Sequence, residues 1–205
     1  MSFLSKIAIR YPGIFCSGLT RIRKSPRTLY LSFDDGPNVS VTEKVLEILN
    51  KYQAKASFFC NGANTEIYPE ILQKIKNNGH TVGSHSFSHL DAFKVPGKKW
   101  MQDAYKKSPV RDSFFFRPPY GHIYPWQCRR LKKMYKLVMW DVMTYDFLED
   151  FEYQDVVKII KNKVRDGSII VFHDTIMSAS RMLPALDFTL KYYSDLGYKF
   201  AKIEL

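Results

Sequence analysis

"YLSFDDGPNVS", residues 30–40, ends an apolar run in two adjacent carboxylates and then stops it with Gly36-Pro37. Consecutive side chains on a strand point to opposite faces, so Asp34 and Asp35 can converge on one site only where the strand ends. The Gly-Pro pair supplies that ending. Asp and Asn are also ordinary turn and cap residues. Taken alone, the stretch leaves two readings open: a polar turn, or two carboxylates acting on one small object.

Outward from this stretch, short apolar runs alternate with segments of helical spacing. The runs "TLYLSF", "KASFFCN", "TVGSH", "SFFFRPP", "KLVMWDV", "SIIVFHD" and "YKFAKIEL" read as strands. Between them, "VTEKVLEILNKY", "YPEILQKIKNNG", a polar stretch around Lys98 to Lys107, "YPWQCRRLKKMY", "QDVVKIIKNKVRDG" and "MLPALDFTLKYYSDLG" read as helices. Such alternation predicts parallel βαβ units in an α/β fold. The nearly continuous apolar strands fit a sheet covered by helices on both faces or closed into a barrel. In either case function belongs at the carboxyl ends of the strands.

The chain has 205 residues, 45% hydrophobic and 25% charged, which is ordinary for one globular domain and excludes disorder, collagen and coiled coil. The formal charge of +11 implies attraction to anionic surfaces or polymers. No nucleic-acid motif accompanies it, and no nucleic-acid partner is expected. Cys16, Cys60 and Cys128 are far apart with no CxxC pair, which reads as free, buried thiols in a reducing compartment. Residues 1–27 are interrupted by Lys6, Arg10 and Pro12. They form neither an export signal nor a transmembrane segment and read as a lead-in, with weak membrane-surface contact as the alternative. A cytoplasmic monomer is the expectation.

Further unusual residues fall at the other strand ends. "HSFSH", residues 85–89, sets His85 and His89 at i and i+4, which places them together on a helical turn. Two neutral imidazoles and one Asp make a three-ligand site of the kind that holds catalytic zinc, and imidazoles argue against calcium. By itself HxxxH is equally a pair of loop histidines. In "FRPPYG", residues 116–121, Arg117 can hold a carboxylate ionised, and the rigid prolines can present the Tyr120 amide to a developing oxyanion. "MWDVMTYDF" offers Trp140, Asp141 and Asp146, and "IIVFHD" offers His173 as a proton-transfer candidate. His80 and His122 lack such company and read as structural.

In this order "SFDDGP", "HSFSH", "RPPYG", "WDVMTYDF" and "IIVFHD" resemble the five motifs of the polysaccharide deacetylases, the NodB-homology group or carbohydrate esterase family four. The resemblance spans residues 28–205 and leaves 1–27 outside. It implies a distorted seven-stranded (β/α) barrel and a hydrolase that removes N-acetyl groups from an acetylated amino-sugar glycan. It also implies a role for each residue: Asp34 as base, Asp35, His85 and His89 as metal ligands, Arg117 orienting the base, the Tyr120 amide facing the oxyanion, and Asp146 tuning a catalytic His173. Phe147, Val171, Trp140 and Pro118 would line the substrate pocket. Zn2+ is the expected metal, with Co2+, Ni2+, Mn2+ and Fe2+ as alternatives. Phe147, Val171 and Met143 stand where the family often has Trp, Leu and Asp, which bears on groove shape and not on the reaction. Alternative activities on such a site are cyclic imide or ureide hydrolysis and O-deacetylation. An inactive glycan-binding module is the alternative from another class, and it would need neither Asp34 nor His173.

Overall fold

The computed structural model describes residues 16–24 and 26–204. Among these, eight strands pair in parallel: β1 (Thr28–Asp34), β2 (Ala56–Cys60), β3 (Thr81–Ser84), β4 (Phe115–Phe116), β5 (Lys136–Leu137), β6 (Val142–Met143), β7 (Ile169–His173) and β8 (Lys199–Phe200). Their order is β5-β4-β3-β2-β1-β7-β6, with β8 beside the start of β1. The helices are α1 (Val39–Lys51), α2 (Gly62–Ile67), α3 (Pro69–Asn77), α4 (Gly97–Ala104), α5 (Pro125–Leu131), α6 (Tyr153–Lys163) and α7 (Ala179–Asp195).

The sheet has to curl. Laid flat, the outer strands β5 and β6 would stand about 29 Å apart, six spacings of about 4.8 Å. They are consecutive in the chain, and the five steps from Leu137 to Val142 reach at most about 18 Å. The run "KLVMWDV" is therefore two strands rather than one: its first half pairs with β4 and its second with β7. This seam makes the parallel sheet a distorted half-barrel of the expected class.

The strand β1 shows why the runs read as continuously apolar. It is buried along its whole length, yet its two faces differ. Leu29, Leu31 and Phe33 join Ala56 and Phe58 of β2, Ile170 and Phe172 of β7, and the apolar stripes of α1 and α7. Tyr30 faces the other way, among Phe59, Val138, Met139, Trp140, Ile169 and Val171 inside the curl. Ser32 and Asp34 share Tyr30's face by the period of two. The polar residues of the strand thus gather inside the curl.

Two sequence expectations change. Residues 19–22 lie across the seam: Leu19 bridges Val138, Arg21 bridges Ser168, and the Ile22 amide donates to Gly167 O at 2.9 Å. Gly167 has φ +77°, and a Cβ there would sit 1.9 Å from Ile22 O, so only glycine admits this strap. The expected membrane-surface contact of the amino terminus falls largely on residues 1–15, outside the described residues. The free-thiol reading holds for buried Cys60 alone. Cys16 and Cys128 form a disulfide with Cα atoms 5.7 Å apart, because the strap brings Cys16 onto α5 across 112 residues of sequence. Under non-reducing denaturation, alkylation followed by mass spectrometry is expected to label one cysteine, and all three after reduction. Cys128→Ser is expected to lower unfolding free energy by about 2–5 kcal/mol in chemical denaturation.

Candidate active site

Strand register sets the site. Asp34 pairs with His173 on one side and Phe59 on the other, while Ser84 pairs with Cys60 and Phe116. The carboxyl ends of β1, β7, β3 and β4 are therefore level. Asp35, His85 and Arg117 are the first residues off their strands.

Asp35 leaves β1 in the left-handed region, φ 78°. That conformation is costly for a non-glycine residue, and several contacts enforce it. Asn61 and Asn64 donate their side-chain amides to the Asp35 carbonyl at 3.1 and 2.8 Å. The Gly36 amide donates to Asp174 Oδ1 at 3.1 Å, and Thr42 Oγ1 donates to Asp174 Oδ2 at 2.5 Å. A Cβ on Gly36 would lie 2.2 Å from the Asp174 carboxylate. Burial pushes the Asp174 carboxyl up to about 7, against the hydrogen bond from Thr42.

His85 and His89 do come together, with ring centroids 5.0 Å apart, but not on a helical turn. Residues 85–89 form a loop in which Ser86 and His89 have φ 63° and 55°. The loop is tied from α4 by Asp103, which accepts from the amides of Phe87 (3.2 Å) and Ser88 (3.0 Å). These bonds satisfy two backbone amides of the loop and hold it in its non-helical shape.

His85 Nδ1 donates to the Arg117 carbonyl at 2.7 Å. The proton therefore sits on Nδ1, and Nε2 presents a lone pair. That lone pair faces Asp35 Oδ1 at 3.5 Å, and His89 Nε2 is 3.0 Å from the same oxygen. Asp35 Oδ1 is buried without a hydrogen-bond partner. Burial lowers His85 to about 4, so the ring is neutral near pH 7 although Asp34 works against that. Burial also pushes Asp35 up, but the neighbouring His89, with His173 and His85 beyond it, outweighs this and holds the carboxyl below its usual range. One donor atom from each of Asp35, His85 and His89 lies within 4.8 Å of the others. Two imidazole nitrogens at 3.5 and 3.0 Å from one carboxylate oxygen fit a divalent cation.

Two further titratable side chains flank this triad, each bonded to a buried group of opposite charge. Asp34, 3% exposed, accepts from Arg117 Nη1 at 2.6 Å, and its other oxygen is 4.0 Å from His85 Nε2. His173 donates from Nδ1 to Asp146 Oδ1 at 2.7 Å, and its amide donates to Asp146 Oδ2 at 2.8 Å. Burial would lower His173, but the charge and hydrogen bond of Asp146, with Asp35 and Asp34 behind, raise it to about 9.

These groups face a cavity of about 570 Å³. Pro118, Trp140 and Phe147 line it, and Phe147 stands edge-on to His173 at 4.9 Å. Val171 is fully buried beneath the floor, and its cross-strand partner Met143 lines the cavity. Asp141 is drawn off to Arg165 at 2.8 Å. Tyr120 has φ 60°, and the hydrogen bonds of its turn run from Gly121 N to Pro118 O and from His122 N to Pro119 O, which leaves its own amide out of them. Sequence reasoning missed Asp103 and Asp174. Asp103 had a signal, since it shares the buried face of α4 with Trp100 and Ala104, where an acid needs a partner. His80 is structural, accepting from the Ala56 amide at Nδ1 (3.2 Å). His122 does have an acidic companion, Asp91.

Comparison with known proteins agrees with this geometry. The polysaccharide deacetylase family profile matches residues 21–137. The peptidoglycan-N-acetylmuramic acid deacetylase PdaC of Bacillus subtilis is 32% identical over 183 residues, 86% of this chain. The chain spans only 38% of that relative's length. A chitooligosaccharide deacetylase of Azorhizobium caulinodans is 32% identical over 75% of this chain and 77% of its own. The crystal structure of the Bc1960 peptidoglycan N-acetylglucosamine deacetylase, bound to a naphthyl N-hydroxybenzamide, superposes with a TM-score of 0.83. It is 27% identical, over 91% of this chain and 90% of that one.

Titration with Co2+, followed by visible absorption, is expected to saturate at one equivalent. Loss of binding is expected in His85→Ala and Asp35→Asn, and a weakening of about 10–100-fold in Asp103→Asn, which loosens the histidine loop without touching a ligand.

Proposed function

The chain belongs to the polysaccharide deacetylase family, and from that premise we propose that it is a metal-dependent hydrolase releasing acetate from the N-acetylated sugars of a glycan, of N-acetylglucosamine or N-acetylmuramic acid type. One observation carries the reading: Asp34 and His173, neighbours across β1 and β7, flank the Asp35–His85–His89 triad while bonded to opposite buried charges. A sugar-binding module requires neither proton carrier, nor the ion pairs that set their protonation.

Two nitrogens and one carboxylate oxygen favour zinc over calcium or magnesium. When bound there, such an ion supplies a Lewis acid that lowers the pKa of a water and polarises the acetamide carbonyl. Asp34, held in place by its ion pair with Arg117, accepts the proton of the attacking water. The Tyr120 amide donates to the carbonyl oxygen as it gains charge. His173, kept protonated by Asp146, delivers its Nε2 proton to the leaving amine as the C–N bond breaks. The products are acetate and a free amino sugar; Asp34 gives its proton up to solvent and His173 takes one back, which restores the starting state.

The site of action forms part of the proposal. The Cys16–Cys128 disulfide favours an oxidising compartment over the cytoplasm. Among the described residues, no helix is long and apolar enough to cross a membrane.

Zinc-loaded protein is expected to release acetate from chitotetraose or peptidoglycan fragments, and Asp34→Asn to slow release by about 10²–10⁴-fold. No acetate from any N-acetylated glycan would overturn the reading. Since His173 acts in its protonated form and is raised to about 9, kcat/KM is expected to fall as pH rises through about 9. In Asp146→Asn the carboxylate that holds the proton is gone, and this alkaline limb is expected to move to lower pH.

A further inference from the structure

The cavity continues past the triad to a second acid–histidine pair. Asp91 follows the histidine loop and His122 follows the Tyr120 turn, so the loops that carry the proposed ligands and oxyanion amide also carry this pair. His122 is 3% exposed and lines the cavity. Its Nδ1 donates to Asp91 Oδ1 at 2.7 Å. The same oxygen accepts from the Phe93 amide at 2.9 Å, and Lys94 Nζ is 3.8 Å from Oδ2. The Phe93 ring lies on the imidazole, centroids 4.3 Å apart and planes 15° apart. The ring is therefore held by one edge and one face.

The remaining edge is unexplained by packing. Asp91 fixes a proton on Nδ1, and Nε2 is buried with no hydrogen-bond partner among the described residues. A buried polar atom without a partner is disfavoured, and the surrounding contacts keep the ring from turning to relieve it. Tyr120 connects this point to the reaction centre: its ring is 4.6 Å from the His89 ring and 5.7 Å from that of His122. Tyr120 is 46% exposed, so its ring stands at the solvent edge between them.

We propose that the Asp91–His122 pair reads the sugar next to the one being deacetylated, with Nε2 accepting from a hydroxyl or acetamide N–H once the Tyr120 ring gives way. The pair thereby sets a requirement for a glycan of at least two sugars. This rests on the deacetylase reading and adds a specificity-determining residue to it. The pair is one ring beyond the nearest proposed metal ligand, which suits recognition of an adjoining sugar rather than of the scissile amide.

The test compares zinc-loaded wild type with His122→Phe, which keeps the stack on Phe93 and removes Nε2 together with the Nδ1 bond to Asp91. His122→Gln is the second variant should the first fail to fold. Acetate release from N-acetylglucosamine, chitobiose and chitotetraose is followed, with zinc affinity and the thermal midpoint measured alongside. The expected result is a rise of about tenfold in KM for chitotetraose, the loss of one hydrogen bond, with a smaller change in kcat and unchanged zinc affinity. The preference of wild type for two or more sugars over one should shrink in the variant. An unchanged KM would overturn the proposal and make the pair a structural clamp. So would a loss in step with zinc affinity, which would assign the pair to holding the ligand loop. If wild type itself releases no acetate from any of the three, the deacetylase reading fails and this inference falls with it.

Discussion

The guanidinium of Arg117 is the contact on which the site depends. It is fully buried, lies on the Phe59 ring at 4.0 Å, and donates to Asp34 at 2.6 Å, Ser32 Oγ at 2.9 Å, Val138 O at 3.3 Å and Met139 O at 2.9 Å. One planar fork thus joins the inner face of β1 to the carbonyls that follow β5 at the seam. Its backbone works as well: the amide donates to Ser84 O at 3.0 Å, and the carbonyl sets the His85 tautomer. A lysine has no fork to make these bonds together. An apolar residue would leave the Asp34 charge buried and unpaired, a change that costs about 3–5 kcal/mol. Sheet closure and the pairing of Asp34 therefore rest on this side chain, and the orientation of His85 on the backbone of the same residue.

Much of this was legible in the chain. Strands buried on both faces have to be apolar throughout, so β1, β2 and β7 announced themselves, and their carboxyl ends marked the chemistry. What stayed hidden was set by long-range geometry. Nothing local in "KLVMWDV" says that the chain changes partners near Trp140, because residues on either side are equally buried. No spacing rule pairs Cys16 with Cys128, since the strap across the seam creates their proximity. The i, i+4 interval of His85 and His89 was informative about proximity and misleading about helicity, because Asp103 on another element accepts from the amides of Phe87 and Ser88 and holds the segment as a loop.

The same tertiary ties explain where backbone strain collects. Of the seven non-glycine described residues with positive φ, five are Asp35, Ser86, His89, Tyr120 and Tyr145. Four belong to the proposed ligand and oxyanion loops, and the fifth precedes Asp146. Such conformations cost of order 1–3 kcal/mol each, so they persist only where other contacts determine them. Asn61, Asn64 and Asp174 do this for the turn after β1, and Asp103 for the histidine loop. These positioning groups lie on other elements, which is why each loop keeps its shape while remaining short.

Charge accounting ties the parts together. Asp34 is balanced by Arg117, and protonated His173 by Asp146, so each carrier forms a neutral buried pair. His85 is neutral by burial. Asp35 is then the one unbalanced charge at the triad, and a divalent ion held there would leave a net charge of about +1 beside the reacting carbonyl. In the proposed reaction negative charge develops at that oxygen as the amide is attacked. An additional carboxylate on the same wall would cancel part of the positive charge, and Met143 keeps that wall apolar. Apolar walls also strengthen each ion pair they enclose, so Phe147 and Met143 act on the chemistry through the dielectric while touching no proton.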